Sequence, residues 1–94
     1  GKMSVIVRIP GPLRKITDGA DKVDVTADNL KGLIHELDKQ YPGIKDRILD
    51  ENEDLRYFVN LYLNNEDVRF LDGLSTSVKS GDEVSIVPAV AGGC

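Results

Sequence analysis

Apolar and polar positions alternate along residues 4–10, with Val5, Val7 and Ile9 on one side and Ser4 and Arg8 on the other. A period of two with this much β-branching predicts a strand, and Pro10-Gly11-Pro12 forces the chain out of it. A second alternating stretch, residues 22–26, follows the turn-prone Asp18-Gly19, so the first two strands are expected to form an antiparallel hairpin with a long loop. The period then changes. Leu30, Leu33, Ile34, Leu37 and Tyr41 recur at helical spacing, with Asp28 as the expected N-cap and Pro42-Gly43 as the stop. Residues 44–49 suggest one further helical turn before a solvated acidic run at 50–54. From residue 57 the period of two returns, because Val59, Leu61 and Leu63 alternate with Phe58, Asn60, Tyr62 and Asn64. A turn at 64–67, a short edge strand at 68–70, an irregular connection at 71–81 and a last strand at 84–88 complete the pattern. Pro88 is expected to release the chain from the ladder.

Two strands, a helix and two or three further strands predict an α+β domain of β-grasp type. Its mixed four- to five-stranded sheet should carry the one main helix across one face, with the first and last strands paired in parallel at the centre. At 94 residues the chain holds one domain, expected to span 3–88. Gly1 and Lys2, ahead of Met3, read as a cloning remnant, and residues 89–94 as a flexible C-terminal tail.

Composition narrows the function classes. Twelve basic against sixteen acidic residues give a net charge of −4, which speaks against a nucleic-acid partner and suits docking on a positively charged protein surface. One cysteine and one histidine leave no disulfide framework and no structural zinc or iron–sulfur ligand set, so no bound metal or cofactor is expected. No apolar run approaches the roughly 20 residues that span a bilayer, and no signal peptide is visible, so a cytoplasmic protein with no membrane partner is expected.

The candidate chemistry lies at the end, Ala89-Val90-Ala91-Gly92-Gly93-Cys94. Glycine's missing Cβ lets backbone thread a narrow active site, so this tail suits a chain whose own carboxyl group is another enzyme's substrate. Catalysis would then come from the partner, with no catalytic residue of this chain's own. Cys94 caps Gly93, and reads as an extension removed by a protease, as a residue added for labelling or immobilisation, or as a thiol that acts directly.

The order and spacing of Pro10-Gly11-Pro12-Leu13-Arg14, Tyr41-Pro42, Asn64-Asn65-Glu66-Asp67-Val68-Arg69, Gly81-Asp82-Glu83-Val84-Ser85-Ile86 and Pro88-Ala89-Val90-Ala91-Gly92-Gly93 resemble the ubiquitin-like sulfur carriers. This ThiS/MoaD-like family includes the thiamine-pathway carrier and the small subunit of molybdopterin synthase. The resemblance covers nearly the whole chain, and residues 58–93 look most like the carrier of the thiocarboxylate-dependent cysteine pathway. It implies adenylation of Gly93 by a ubiquitin-activating-type adenylyltransferase using ATP, then replacement of AMP by sulfur to leave a thiocarboxylate on Gly93. The sulfur would pass to a synthase, in this branch a cysteine synthase holding an activated serine derivative. Gly92, Ala91 and Val90 would deliver the terminus, and a JAMM-type zinc peptidase would first remove Cys94. The residues leave open a molybdopterin or thiamine enzyme as acceptor, a ubiquitin-like protein modifier joined to lysines through Gly93, and a plain β-grasp interaction domain.

Phe58 and Tyr62 fall opposite the Val59, Leu61 and Leu63 face, and with Val87 are expected to form an exposed partner-docking patch. Arg8, Arg14, Lys15 and Arg69 read as solvated surface, and His35 as a surface helix residue.

Overall fold

The computed structural model describes residues 3–88. Strands β1 (Met3–Arg8) and β2 (Lys22–Ala27) form the predicted antiparallel hairpin, and helices α1 (Leu30–Gln40) and α2 (Ile44–Ile48) follow. β3 (Val59–Leu63), the two-residue β4 (Glu66–Asp67) and β5 (Glu83–Pro88) complete a five-stranded sheet of order β2-β1-β5-β3-β4. β1 and β5 are parallel neighbours and β5 runs antiparallel to β3, which is the expected β-grasp arrangement. The parallel pair needs a long crossover, and α1 supplies it across one face of the sheet.

Burial follows the two periods. Val5, Val7, Val23, Val25, Val59, Leu61, Val84 and Ile86 are buried on one sheet face, and Leu30, Leu33, Ile34 and Leu37 are buried on the helix in the same core. Each fully buried aliphatic side chain of this size contributes about 1.5–3 kcal/mol relative to exposure. Ile44, Ile48 and Leu49 join that core, so α2 closes one end of it.

The helix begins one residue later than expected. Asn29, not Asp28, is the N-cap, and its side-chain oxygen accepts a hydrogen bond from the Gly32 N–H at 2.8 Å. Asp28 is held elsewhere, its carbonyl accepting from the Val78 N–H at 3.1 Å. Gly32 suits this cap, since a Cβ there would sit 3.2 Å from the Asn29 oxygen. At the other end Gly43, at φ 103°, turns the chain directly into α2, and the Asp38 carboxylate accepts from the Gly43 and Lys45 N–H groups, each at 3.0 Å.

Two expectations for the second half are corrected. The edge strand is Glu66–Asp67, reached by a tight hairpin in which Asn64 and Asn65 both have positive φ, at 50° and 72°. Residues Val68–Phe70, expected as strand, form a single 3-10 turn. The Asp67 carboxylate accepts from the Arg69 N–H at 2.8 Å and curls the backbone inward, which carries Val68 into the core. Pro88, expected to leave the ladder, lies inside it opposite Val59. The β1 pairing with β5 stops at Ser85, so the missing proline N–H falls where no β1 acceptor stands across from it.

Candidate functional site

The proposed chemical residues Gly93, Gly92, Ala91 and Val90, and the proposed processing site Cys94, lie outside the described residues. What the structure places is the platform behind them. Pro88, immediately before the tail, ends β5, a strand flanked by β1 and β3 in the middle of the sheet. The tail therefore leaves from a rigidly paired element and not from a loose edge.

The three expected docking residues do not sit alike. Val84 and Ile86 are buried, so alternation turns Ser85 and Val87 to the opposite face, where Val87 is 42% exposed. Asn60 pairs with Val87 and Tyr62 with Ser85, which puts Tyr62 on that same uncovered face, half-buried. Phe58 precedes β3 in a turn and stands at the end of the sheet. Its ring meets that of Tyr57 edge-on, at 5.3 Å between centroids, and Tyr57 itself is 92% exposed. Phe58 also borders a cavity of about 390 Å³ together with Leu13, Ile86 and Pro88. The sheet end beside the tail thus has an apolar recess, a feature that period-two alternation in β3 does not reveal.

Residues read as solvated surface hold this platform in shape. The Arg69 guanidinium spans the start of β3, donating to the Asn60 side chain, to the Val59 carbonyl at 2.8 Å and to the Arg56 carbonyl. Arg14 donates to the Ile9 carbonyl at 3.1 Å and so folds the loop after β1 back on the strand. Arg8 pairs with Glu83 at 3.0 Å across the β1–β5 pair. Asn64 donates to Asp82 and accepts from the Glu83 N–H, each at 3.0 Å, so the hairpin is pinned to the strand that carries the tail.

In the acidic run at 50–54 the Asp50 carboxylate accepts from the Asn52 and Asp54 N–H groups, at 2.8 and 3.0 Å, and Glu53 ties the run to the helices. Glu53 lies 3.1 Å from His35 Nε2, 3.6 Å from Lys31 Nζ and 4.0 Å from Lys45 Nζ. The hydrogen bond with His35 first, then the nearby positive charges, hold its carboxyl below the usual value of 4.5. A depressed carboxylate stabilises the fold above its unfolded value and loses that contribution as pH falls through its folded value. Glu53→Gln is therefore expected to lower the melting temperature near neutrality, with the difference from wild type closing below about pH 4.5. Melting curves at several pH values check this, and a gap that does not narrow as pH falls below about 4.5 contradicts it.

Among the described residues no group of three or more His, Cys, Asp or Glu is placed to hold a metal, and no helix is long and apolar enough to cross a membrane.

The model of the ThiS family matches residues 7–93, through the diglycine and short of Cys94. The chain belongs to the ThiS family of ubiquitin-like sulfur carriers. Sulfur carrier protein CysO of Mycobacterium tuberculosis is 46% identical over 93 residues, covering 97% of this chain and all of that protein. Among solved structures, a chain of the Amycolatopsis orientalis BexX/CysO complex superposes with a TM-score of 0.89 at 43% identity, covering 94% of this chain and 98% of that one. Small archaeal modifier protein 1 of Methanosarcina acetivorans gives a TM-score of 0.86 at 26% identity, covering 98% of both chains. The sheet order β2-β1-β5-β3-β4 is the frame on which the matched region ends, at Gly93.

Proposed function

We propose that this chain carries sulfur on the carboxyl group of Gly93 for the formation of cysteine. A partner adenylyltransferase joins the Gly93 carboxylate to the α-phosphate of ATP, releasing pyrophosphate. A sulfur nucleophile then attacks the activated carbonyl and expels AMP, leaving a thiocarboxylate. That sulfur in turn displaces the leaving group of an activated serine derivative on a cysteine synthase, which joins the new cysteine to Gly93 through an acyl bond, and hydrolysis of that bond frees cysteine and restores the Gly93 carboxylate. The chain contributes a carboxyl group, a lead of small residues and a docking surface that includes Phe58, Tyr62 and Val87. It is a co-substrate, and ATP is consumed by its partner.

The observation that carries this reading is the end-to-end identity with the mycobacterial carrier, together with a family match that finishes at Gly93. Cys94 stands beyond that match, so its removal by a zinc peptidase of the JAMM type precedes activation. Disruption of the gene is expected to create a requirement for cysteine that supplied cysteine relieves. A requirement for thiamine or for molybdopterin instead would move the sulfur to one of those enzymes.

The likeness to an archaeal modifier protein favours one second reading, in which the same activated Gly93 is joined to lysines of other proteins. Higher-mass conjugates that resist reductant and yield to isopeptide cleavage would support it.

A further inference from the structure

The recess beside Pro88 is more than apolar. Arg47, in α2, and Arg56 both line it, against one carboxylate, that of Asp46. Arg47 is exposed and makes no ion pair among the described residues. Arg56 is half-buried and oriented, its Nε donating to the Asp46 carbonyl at 2.9 Å. Behind these cations the wall is Leu13, Phe58 and Ile86. The cavity, about 390 Å³, accepts one large side chain with a charged neighbour.

Its position limits what can cover it. Five residues carry the chain from Pro88 to Gly93, and a fully extended segment of that length reaches at most about 18 Å. An enzyme that takes Gly93 into its active site must therefore place its entrance within that distance of Pro88, which itself lines the recess. The rim then lies against, or next to, the surface of whichever enzyme is acting on the tail.

From this placement and the surplus of guanidinium groups, we infer that the recess is the anchoring site for the adenylyltransferase, which inserts an apolar side chain flanked by a carboxylate. The carboxylate meets Arg47 and Arg56 and the apolar group meets Phe58 and Ile86. This inference rests on the sulfur-carrier reading and adds the α2 side of the molecule to its docking surface. A chain with net charge −4 thus presents a local positive rim where its tail departs, so the contact is selective and does not follow the net charge.

The test is ATP–pyrophosphate exchange by the purified adenylyltransferase of the same host, with the chain ending at Gly93 as substrate. Arg47→Glu and Phe58→Ala are expected to raise KM for the carrier about tenfold with kcat retained, because the tail chemistry is untouched. Lys79→Glu makes the same charge change at an exposed position before β5, at the opposite end of that strand from Pro88, and is expected to leave KM unchanged. Arg47 is exposed, so its substitution leaves the core intact, and raising the salt concentration should raise the wild-type KM and flatten the Arg47→Glu difference. An unchanged KM in both groove variants overturns the inference and leaves the carrier reading standing. A wild-type chain that is not adenylated overturns the carrier reading and the inference with it. Amide shifts at Leu13 and Phe58 on deleting residues 89–94 would give the recess to the chain's own tail, and concentration-dependent self-association lost in Phe58→Ala would give it to a second copy. Either result contradicts the proposed occupant.

Discussion

A chain ending at Ala91 is expected to take up no adenylate and no sulfur, while unfolding at the same temperature as the chain ending at Gly93. The two properties separate because they belong to different parts of the molecule. Among the described residues the last sheet pair is Pro88 with Val59, and every residue of the buried core precedes it. The proposed reactive group is the Gly93 carboxylate, and a carboxylate two residues short of it would not reach the same position in a partner's active site. The chain that keeps Cys94 is expected to be as inert as the truncated one. A peptide nitrogen then replaces the oxygen that must attack the α-phosphate, and no anhydride forms. Intact mass after incubation with adenylyltransferase, ATP and a sulfur donor reads both outcomes, and sulfur on a chain still carrying Cys94 would contradict the required trimming.

Leu37→Ala is expected to cost about 2–5 kcal/mol, a large share of the roughly 5–15 kcal/mol typical of a small domain. Leu37 is fully buried near the C-terminal end of α1, and the first turn of α2 packs on that helix, so deleting its side chain opens a cavity at the junction of both helices and the sheet. Urea denaturation measures the loss as a lower midpoint at unchanged slope. Val87→Ala on the uncovered face serves as the comparison, with an expected change within about 0.5 kcal/mol. A Leu37→Ala midpoint equal to wild type would mean that α1 does not hold the sheet as described.

The period of hydrophobic positions carried most of the fold. Val5 and Val7 on one strand with Ile9 just beyond it, Val59 and Leu61 on another, and Leu30, Leu33, Ile34 and Leu37 on the helix all point into one core, because burial is the strongest constraint each position faces. The errors fall where a single polar contact overrides a propensity. Val68, Arg69 and Phe70 favour strand by composition, yet the Asp67 carboxylate bonding to the Arg69 N–H curls them into a 3-10 turn. Asp28 and Asn29 are equally good caps in sequence, and the choice is made by the Asp28 carbonyl's bond to Val78, fifty residues away. Arg69 looked like solvated surface because nothing local signals that its guanidinium would bridge Val59, Asn60 and Arg56.

The site was legible in a different way. The diglycine stands in the primary sequence, and the family model extends to it. The recess at Pro88 was not legible, since it joins the loop after β1, helix α2, the start of β3 and the end of β5, four segments far apart along the chain. Alternation placed Phe58 beside Tyr62 on the uncovered face, but Phe58 precedes the paired part of β3 and borders the recess instead.

The central claim is that Gly93 leaves the cell's processing machinery as a thiocarboxylate. Intact-mass spectrometry of the protein isolated from its own host, before and after treatment with a thiocarboxylate-reactive probe, reads that terminus directly. The predicted result is a species ending at Gly93 with one carboxylate oxygen replaced by sulfur, which the probe then converts completely. Protein that retains Cys94 throughout active cells, with no sulfur-bearing form and no reaction with the probe, would contradict it.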